Sequence, residues 1–238
     1  QPLGFMYLAA ALRREGFWNL RIIDLAPSGL LPDEVTRRVE RARPDVIFLT
    51  ADTVDVPQLQ GFSAALRDAA PRARLVVGGP HPSADPTACL DQLPAVDVAV
   101  IHDGEETAPE LVRALEPSGT RGLDTIAGIA YRESPESVVV TAPREVSPTL
   151  DDDLWPAYDL IDVPAYFRHP RMGLLFKQLE YMSLFTSRGC PYGCTYCHNV
   201  FGNQYRAHSA ERVLDEMTFL ARQHAIREIQ ILDDLFNY

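Results

Sequence analysis

The sequence predicts an α/β protein in two parts, an N-terminal doubly wound, Rossmann-like domain followed by the start of a partial (β/α) barrel, on three observations. Strand-like apolar runs alternate with helical patterns over residues 20–101, the rhythm of right-handed βαβ units. Two of the runs, Val46-Ile47-Phe48-Leu49 and Arg74-Leu75-Val76-Val77, are continuous rather than alternating, as expected of parallel strands covered on both faces. After a proline-rich stretch the pattern restarts as strand, loop, helix and strand over residues 180–233.

Each element has its own signal. Leu3, Tyr7, Leu8, Ala11 and Leu12 recur at helical spacing, and Gly16 reads as the C′ residue that ends the helix. Strands are predicted over 20–25, 46–50, 75–77 and 98–101, with helices over 33–41 and 58–69 between them. Asp103-Gly104-Glu105-Glu106-Thr107 opens a further helix, its acidic residues placed where the helix dipole favours them. Residues 129–132 and 137–141 form a hairpin at the sheet edge. Pro143, Pro148 and Pro156, with the run Asp151-Asp152-Asp153, read as an extended, solvated linker. The predicted division is a first domain over 1–145, a linker over 146–175 and a second domain over 176–238. In the second domain Ser209 caps a helix whose apolar face carries Val213, Leu214, Met217, Leu220 and Ala221. The chain starts at Gln1 directly in a helix and stops shortly after a strand, so it is expected to be a fragment, lacking a first strand and the later barrel units.

Composition excludes several function classes. With 22 basic against 33 acidic residues, a net charge of −11, the chain offers no general attraction to nucleic acid or anionic lipid, and a small-molecule substrate is favoured. No apolar run approaches the roughly 18 residues of a membrane span, and no secretory leader pattern is present, so a cytoplasmic protein is expected. Four cysteines are too few for a disulfide scaffold, and three of them fall within eight positions, which points to metal chemistry in a reducing compartment.

Those three stand in Ser187-Arg188-Gly189-Cys190-Pro191-Tyr192-Gly193-Cys194-Thr195-Tyr196-Cys197. Pro191, Gly189 and Gly193 let the backbone coil so that the thiolates of Cys190, Cys194 and Cys197 can converge on zinc or an iron–sulfur cluster. Three ligands on a four-iron cube leave one iron open, which suits chemistry better than simple electron carriage. The bland alternative is a structural zinc site completed by His198. Cys89 lies apart from the cluster and reads as a buried thiol. In the first domain Gly78-Gly79-Pro80-His81 follows a buried strand, and its two small residues allow a large planar ligand to approach the backbone. It is not a GxGxxG, which argues against a dinucleotide.

The segment 190–197 resembles the CxxxCxxC signature of the radical S-adenosylmethionine (SAM) superfamily, including the aromatic Tyr196 before the third cysteine. The resemblance implies a [4Fe–4S] cluster on Cys190, Cys194 and Cys197, SAM chelated to the open iron, Tyr196 near the adenine, and an electron donor such as a flavodoxin or ferredoxin. Asp233, with Asp234, falls where that superfamily places a polar motif beside the methionine amino group, although the usual Gly-Gly-Glu is absent. The first domain is similar to the cobalamin-binding domain that precedes the barrel in one branch of the superfamily. The matching pieces are Pro2-Leu3-Gly4, Gly78-Gly79-Pro80-His81 and Gly104-Glu105-Glu106, with Thr50-Ala51-Asp52 about where the wider family has a Ser-x-Leu loop. A DxHxxG element is absent, so the resemblance implies cobalamin without a lower axial histidine; His81 and His102 are loop candidates near the corrin. Asn199-Val200-Phe201-Gly202 and Tyr205-Arg206 could pack over the cluster. The implied activity is methyl transfer to an unactivated carbon through a 5′-deoxyadenosyl radical. An oxidative cyclase is the alternative enzyme, and a zinc or corrinoid-binding module is the non-catalytic one. None of these needs nucleic acid or a membrane span.

Overall fold

The computed structural model describes residues 1–115, 122–151, 154–168, 177–198 and 200–238. Helix α1 (Leu3–Arg14) carries basic residues in its last turn, where the helix dipole favours them, and Gly16 follows at φ +92, as its C′ role requires. Residues 20–25 do not form the predicted strand. They join no ladder, and Asp24 caps the short helix α2 (Leu25–Ser28), accepting from the Ala26 amide, while Gly29 closes it in the left-handed region. Apolar content at 20–25 supplies side-chain burial, but a strand also needs a neighbour for its backbone groups.

Helix α3 (Pro32–Ala42) has Pro at its first position and Asp33 and Glu34 in its first turn, then β1 (Val46–Thr50), α4 (Val56–Ala69) and β2 (Arg74–Gly78) follow. Two short helices, α5 (Pro80–Ala84) and α6 (Pro86–Gln92), lead to β3 (Val98–Val100). After α7 (Thr107–Ala114) come β4 (Ile129–Ser134) and β5 (Ser137–Val140). The rest of the chain holds α8 (Val163–Tyr166), β6 (Tyr181–Leu184), β7 (Ser187–Arg188), β8 (Arg206–Ala207), α9 (Ala210–Gln223) and β9 (Glu228–Ile231).

The fold is α/β, and its main sheet is mixed and open, in the order β1-β2-β3-β4-β5. The first three strands are parallel, and the β4–β5 hairpin adds antiparallel at the edge where the sequence places it. Of the two continuous apolar runs, β2 is buried as predicted, whereas β1 is only half-buried because it is an edge strand; β3, between β2 and β4, is buried throughout. A second pair, β6 and β9, is parallel and joined through α9, which is the predicted βαβ unit.

The chain divides into two packing units that interleave along the sequence: Gln1–Leu30 with Ser147–Gly193 and Gly202–Tyr238, and Leu31–Val146 with Cys194–Phe201. In the first, Leu3 and Met6 of α1 share a core with Tyr158, Met182, Leu220 and Ile226. In the second, Val76, Val98, Leu111, Leu123 and Ile129 close the sheet against α7 and the loop after it.

The apolar face predicted for α9 is only partly the buried one. Leu220 is buried, but Leu214 is 62% exposed, and the other fully buried residue of the helix is Glu216. That carboxylate is held by Arg212 at 2.6 Å and by the hydroxyl of Tyr158, a closed set that makes its burial tolerable. Arg212 also lies over the Trp155 ring at 4.3 Å and donates to the Leu154 carbonyl. Burial beside Glu216 pushes the Tyr158 phenol far above its usual range. The acidic run is likewise more than a solvated face at Asp151, which accepts from the Ser209 amide at 2.9 and 2.8 Å and from His208 Nδ1 at 3.0 Å, reinforcing the Ser209 cap. Asp152 and Asp153 lie outside the described residues.

Candidate functional site

Ligand sites in open α/β sheets form at the carboxyl ends of the strands. In the sheet unit those ends bring together Thr50-Ala51 at the end of β1, Gly78-Gly79-Pro80-His81 at the end of β2 and His102 after β3. The Ala51 amide donates to Gly78 O at 2.9 Å and the His81 amide to Ala51 O at 2.9 Å, so the two loops are laced through their backbones. Gly79 holds φ +103, and a Cβ there would sit 2.8 Å from Thr50 Oγ1 and 3.2 Å from Ala51 O. Only glycine fits. Gly78 is different, since a Cβ there would meet nothing nearer than Val100 at 4.0 Å.

His81 is 7% exposed; its Nδ1 lies 3.2 Å from Thr53 Oγ1, while its Nε2 is buried without a hydrogen-bond partner. A buried ring nitrogen left unsatisfied costs free energy unless something else meets it, which fits a polar group of a bound ligand. The Gly78-Gly79 backbone and the His81 ring are therefore compatible with a large planar cofactor. Gly104 and Glu105 fall in the loop before α7 and are half-buried. Ser83, which the motifs did not single out, accepts from the His102 amide at 2.9 Å and donates to Gly79 O at 2.8 Å. Its signal in the sequence is only its place three residues beyond Pro80, at the helical spacing of α5.

The cysteine loop leaves the βαβ unit after β6, through the short β7–β8 ladder. Gly189 takes φ +81, and a Cβ there would lie 2.2 Å from Gln204 O, so the backbone passes too close for any side chain. The Cys190 amide donates to Gly202 O at 3.2 Å, which closes the loop. Cys194 and Cys197, in the sheet unit, are joined by a turn in which the Cys197 amide donates to Cys194 O at 3.2 Å. All three thiols are free; Cys190 is half-buried and the other two are exposed, so soft donors are accessible in the number a three-cysteine cluster needs. Among the described residues no three His, Cys, Asp or Glu side chains are gathered as a ready ion site. Tyr196 is 91% exposed. Cys89 is buried as expected, and burial near Asp85 pushes its thiol up to about 11. Asn199 lies outside the described residues.

Asp233 turns its carboxylate onto Thr186: Oδ1 accepts from the Thr186 amide at 2.7 Å and Oδ2 from the Thr186 hydroxyl. Thr186 precedes the cysteine motif directly, yet nothing in its residue type marks it as a partner of Asp233. No described helix is long and apolar enough to cross a membrane.

The B12 binding domain family model matches residues 1–112. An uncharacterized methyltransferase of Pyrococcus horikoshii is 32% identical over 99% of this chain and 49% of its own length. The anaerobic magnesium-protoporphyrin IX monomethyl ester cyclase of Rubrivivax gelatinosus is 25% identical over 98% of this chain and 41% of its own. The chain thus spans about half the length of the curated relatives it matches or less. Among solved structures, the cobalamin-dependent S-adenosylmethionine radical enzyme OxsB with aqua-cobalamin bound superimposes with a TM-score of 0.74 at 22% identity, covering 98% of this chain and 31% of that one. The chain thus carries a B12 binding domain match over residues 1–112, is similar along nearly its whole length to a methyltransferase, and shares the fold of the corresponding part of OxsB.

Proposed function

We propose that this chain carries the cobalamin-binding and cluster-binding parts of a radical SAM enzyme that transfers a methyl group to an unactivated carbon of a small molecule. The observation that carries the proposal is the pairing, in one chain, of a three-cysteine loop after the first strand of a βαβ unit with a glycine cradle beside a buried, unsatisfied His81 nitrogen. When bound, the cluster supplies one-electron reduction of SAM and the cobalamin supplies a methyl carrier.

The chain's own part is binding and orientation. The thiolates of Cys190, Cys194 and Cys197 would hold the cluster, whose chemistry toward SAM is one-electron reduction. Tyr196, exposed beside the third cysteine, is available to stack on the adenine. Gly78 and Gly79 admit the flat face of a corrin to backbone distance, Thr50 bounds the cradle, and the His81 Nε2 meets a polar group of the ligand. Gly104 and Glu105 complete the loop edge after β3.

Methyl transfer is favoured over cyclisation because the Pyrococcus relative, named a methyltransferase, is the more similar of the two enzymes at 32% against 25% identity. Anaerobic reconstitution followed by electron paramagnetic resonance of the reduced protein tests the proposal, with a hydroxocobalamin titration beside it. A [4Fe–4S]⁺ signal that changes on adding SAM, with a shift of the corrin absorbance, is expected. One zinc per chain and no cluster signal would overturn it in favour of a structural metal module, and a cyclised product without methylation from the full-length enzyme would favour the cyclase.

A further inference from the structure

We infer that Asp233 serves the cysteine loop as a positioning residue through Thr186, rather than as a direct ligand of SAM; this rests on the radical SAM reading above. Thr186 lies two residues beyond β6 and Asp233 two residues beyond β9, and these strands pair in parallel with Leu184 opposite Ile231. The ladder continues one step further, the Leu232 amide donating to Leu184 O at 3.0 Å, so the two residues reach the carboxyl edge side by side.

There every polar group of Thr186 is engaged. Its amide and hydroxyl both donate to the Asp233 carboxylate, and its carbonyl accepts from the His208 amide at 2.9 Å. The next residue is tied as well, Ser187 Oγ donating to Leu235 O at 3.2 Å. Thr186 is thus the fixed point from which the chain departs into β7, Gly189 and Cys190. A carboxylate that receives two donors from one residue is oriented by them, and charge assistance makes these the stronger hydrogen bonds of the loop. Both carboxylate oxygens are turned to the loop's root by their Thr186 donors.

Charge and geometry can be separated by substitution. In Asp233→Asn the amide oxygen still accepts from the Thr186 amide and the NH₂ group can donate to the hydroxyl oxygen, so the clasp survives without charge. In Thr186→Val the charge stays and the hydroxyl half of the clasp is lost. Asp233→Ala removes both.

The experiment uses the full chain, reconstituted anaerobically, and reads iron and sulfide per chain, SAM affinity, global thermal unfolding, and hydrogen exchange of residues 187–190 in the cluster-free protein. Thr186→Val and Asp233→Ala are expected to halve iron loading or worse and to speed exchange at 187–190, with thermal unfolding little changed. Asp233→Asn is expected to load iron as wild type does and to bind SAM within about threefold, since no charged bond to the ligand is lost. An Asp233→Asn protein that keeps its cluster but loses SAM affinity by about tenfold or more, the scale of a lost charged hydrogen bond, overturns the inference and makes Asp233 a direct ligand. So does a Thr186→Val protein with normal loading and exchange. A wild-type chain that takes up no cluster overturns the radical SAM reading instead, and the exchange arm then decides the clasp by itself.

Discussion

The Nδ1 of His102 lies 2.8 Å from the carbonyl oxygen of Val200, three residues beyond Cys197. A carbonyl only accepts, so this ring nitrogen carries the proton. From His102 the bonding continues through its own amide to Ser83 Oγ, and from Ser83 Oγ to Gly79 O. Within the sheet unit, therefore, the cradle glycine and the end of the cysteine loop are connected by three consecutive hydrogen bonds.

His102 holds φ +62, a conformation unfavourable for most side chains. His102→Ala loses the ring bond and keeps the backbone penalty of about 1–2 kcal/mol; His102→Gly loses the same bond and relieves the backbone. Hydrogen exchange over 194–201 is expected to rise equally in both variants. In thermal unfolding the glycine variant is expected to be the more stable of the two, and the reverse order would assign the strain elsewhere.

Gly78 and Gly79 are adjacent, yet alanine should act on them differently. Gly79→Ala drives a Cβ against Thr50 and the Ala51 backbone at a positive φ, which costs about 1–3 kcal/mol and weakens the loop before any ligand arrives. Gly78→Ala meets no atom closer than 4.0 Å and should leave thermal unfolding nearly unchanged. If the corrin approaches this backbone, Gly78→Ala nevertheless weakens hydroxocobalamin binding in an absorbance titration. Full affinity in Gly78→Ala would move the corrin away from the strand end.

Much of the α/β frame is legible because it rests on local signals. A continuous apolar run marks β2, helical spacing over 33–41 marks α3, and Ser209 marks the start of α9. The predicted strand at 20–25 fails because pairing is a long-range property that no window of six residues contains. The same limit hides Glu216, whose burial depends on Tyr158, 58 positions away, and only the Arg212–Glu216 spacing of four gives a local hint. The cysteine motif is plain from spacing alone. Its supports are not, because Thr186 meets Asp233 across 47 residues and His102 meets Val200 across 98.

Thiol reactivity should separate the four cysteines. Cys89 is fully buried and its thiol is pushed up to about 11, so little thiolate is present at pH 8 and the native protein should leave it unmodified. Cys194 and Cys197 are exposed and should alkylate first, with Cys190 slower. Mass spectrometry after a short iodoacetamide pulse on cluster-free protein checks the order. Prior cluster assembly should protect these three together, and protection of only two would remove one of them from the ligand set.

Acid should loosen the start of α9 through two groups that act in the same direction. Desolvation lowers the His208 pKa from its ordinary value despite the opposing bond to Asp151, so between that lowered value and about 6.5 the unfolded chain binds a proton that the folded chain refuses. Stability therefore rises with pH through this window and is lost as pH falls. Asp151 is held below the usual carboxylate range, chiefly by its hydrogen bonds to Ser209, so its contribution is present above about 3.9 and disappears as pH falls through its lowered value. His208→Asn, whose amide can still donate to Asp151, removes the first titration and keeps the bond. Unfolding midpoints measured from pH 7 to pH 5 should fall less in this variant than in wild type, whereas Asp151→Ala should lower stability at pH 7 by about 1 kcal/mol, the usual net worth of a lost hydrogen bond, since the Ser209 cap itself remains. Parallel pH profiles for wild type and His208→Asn would show that the acid sensitivity arises at another group.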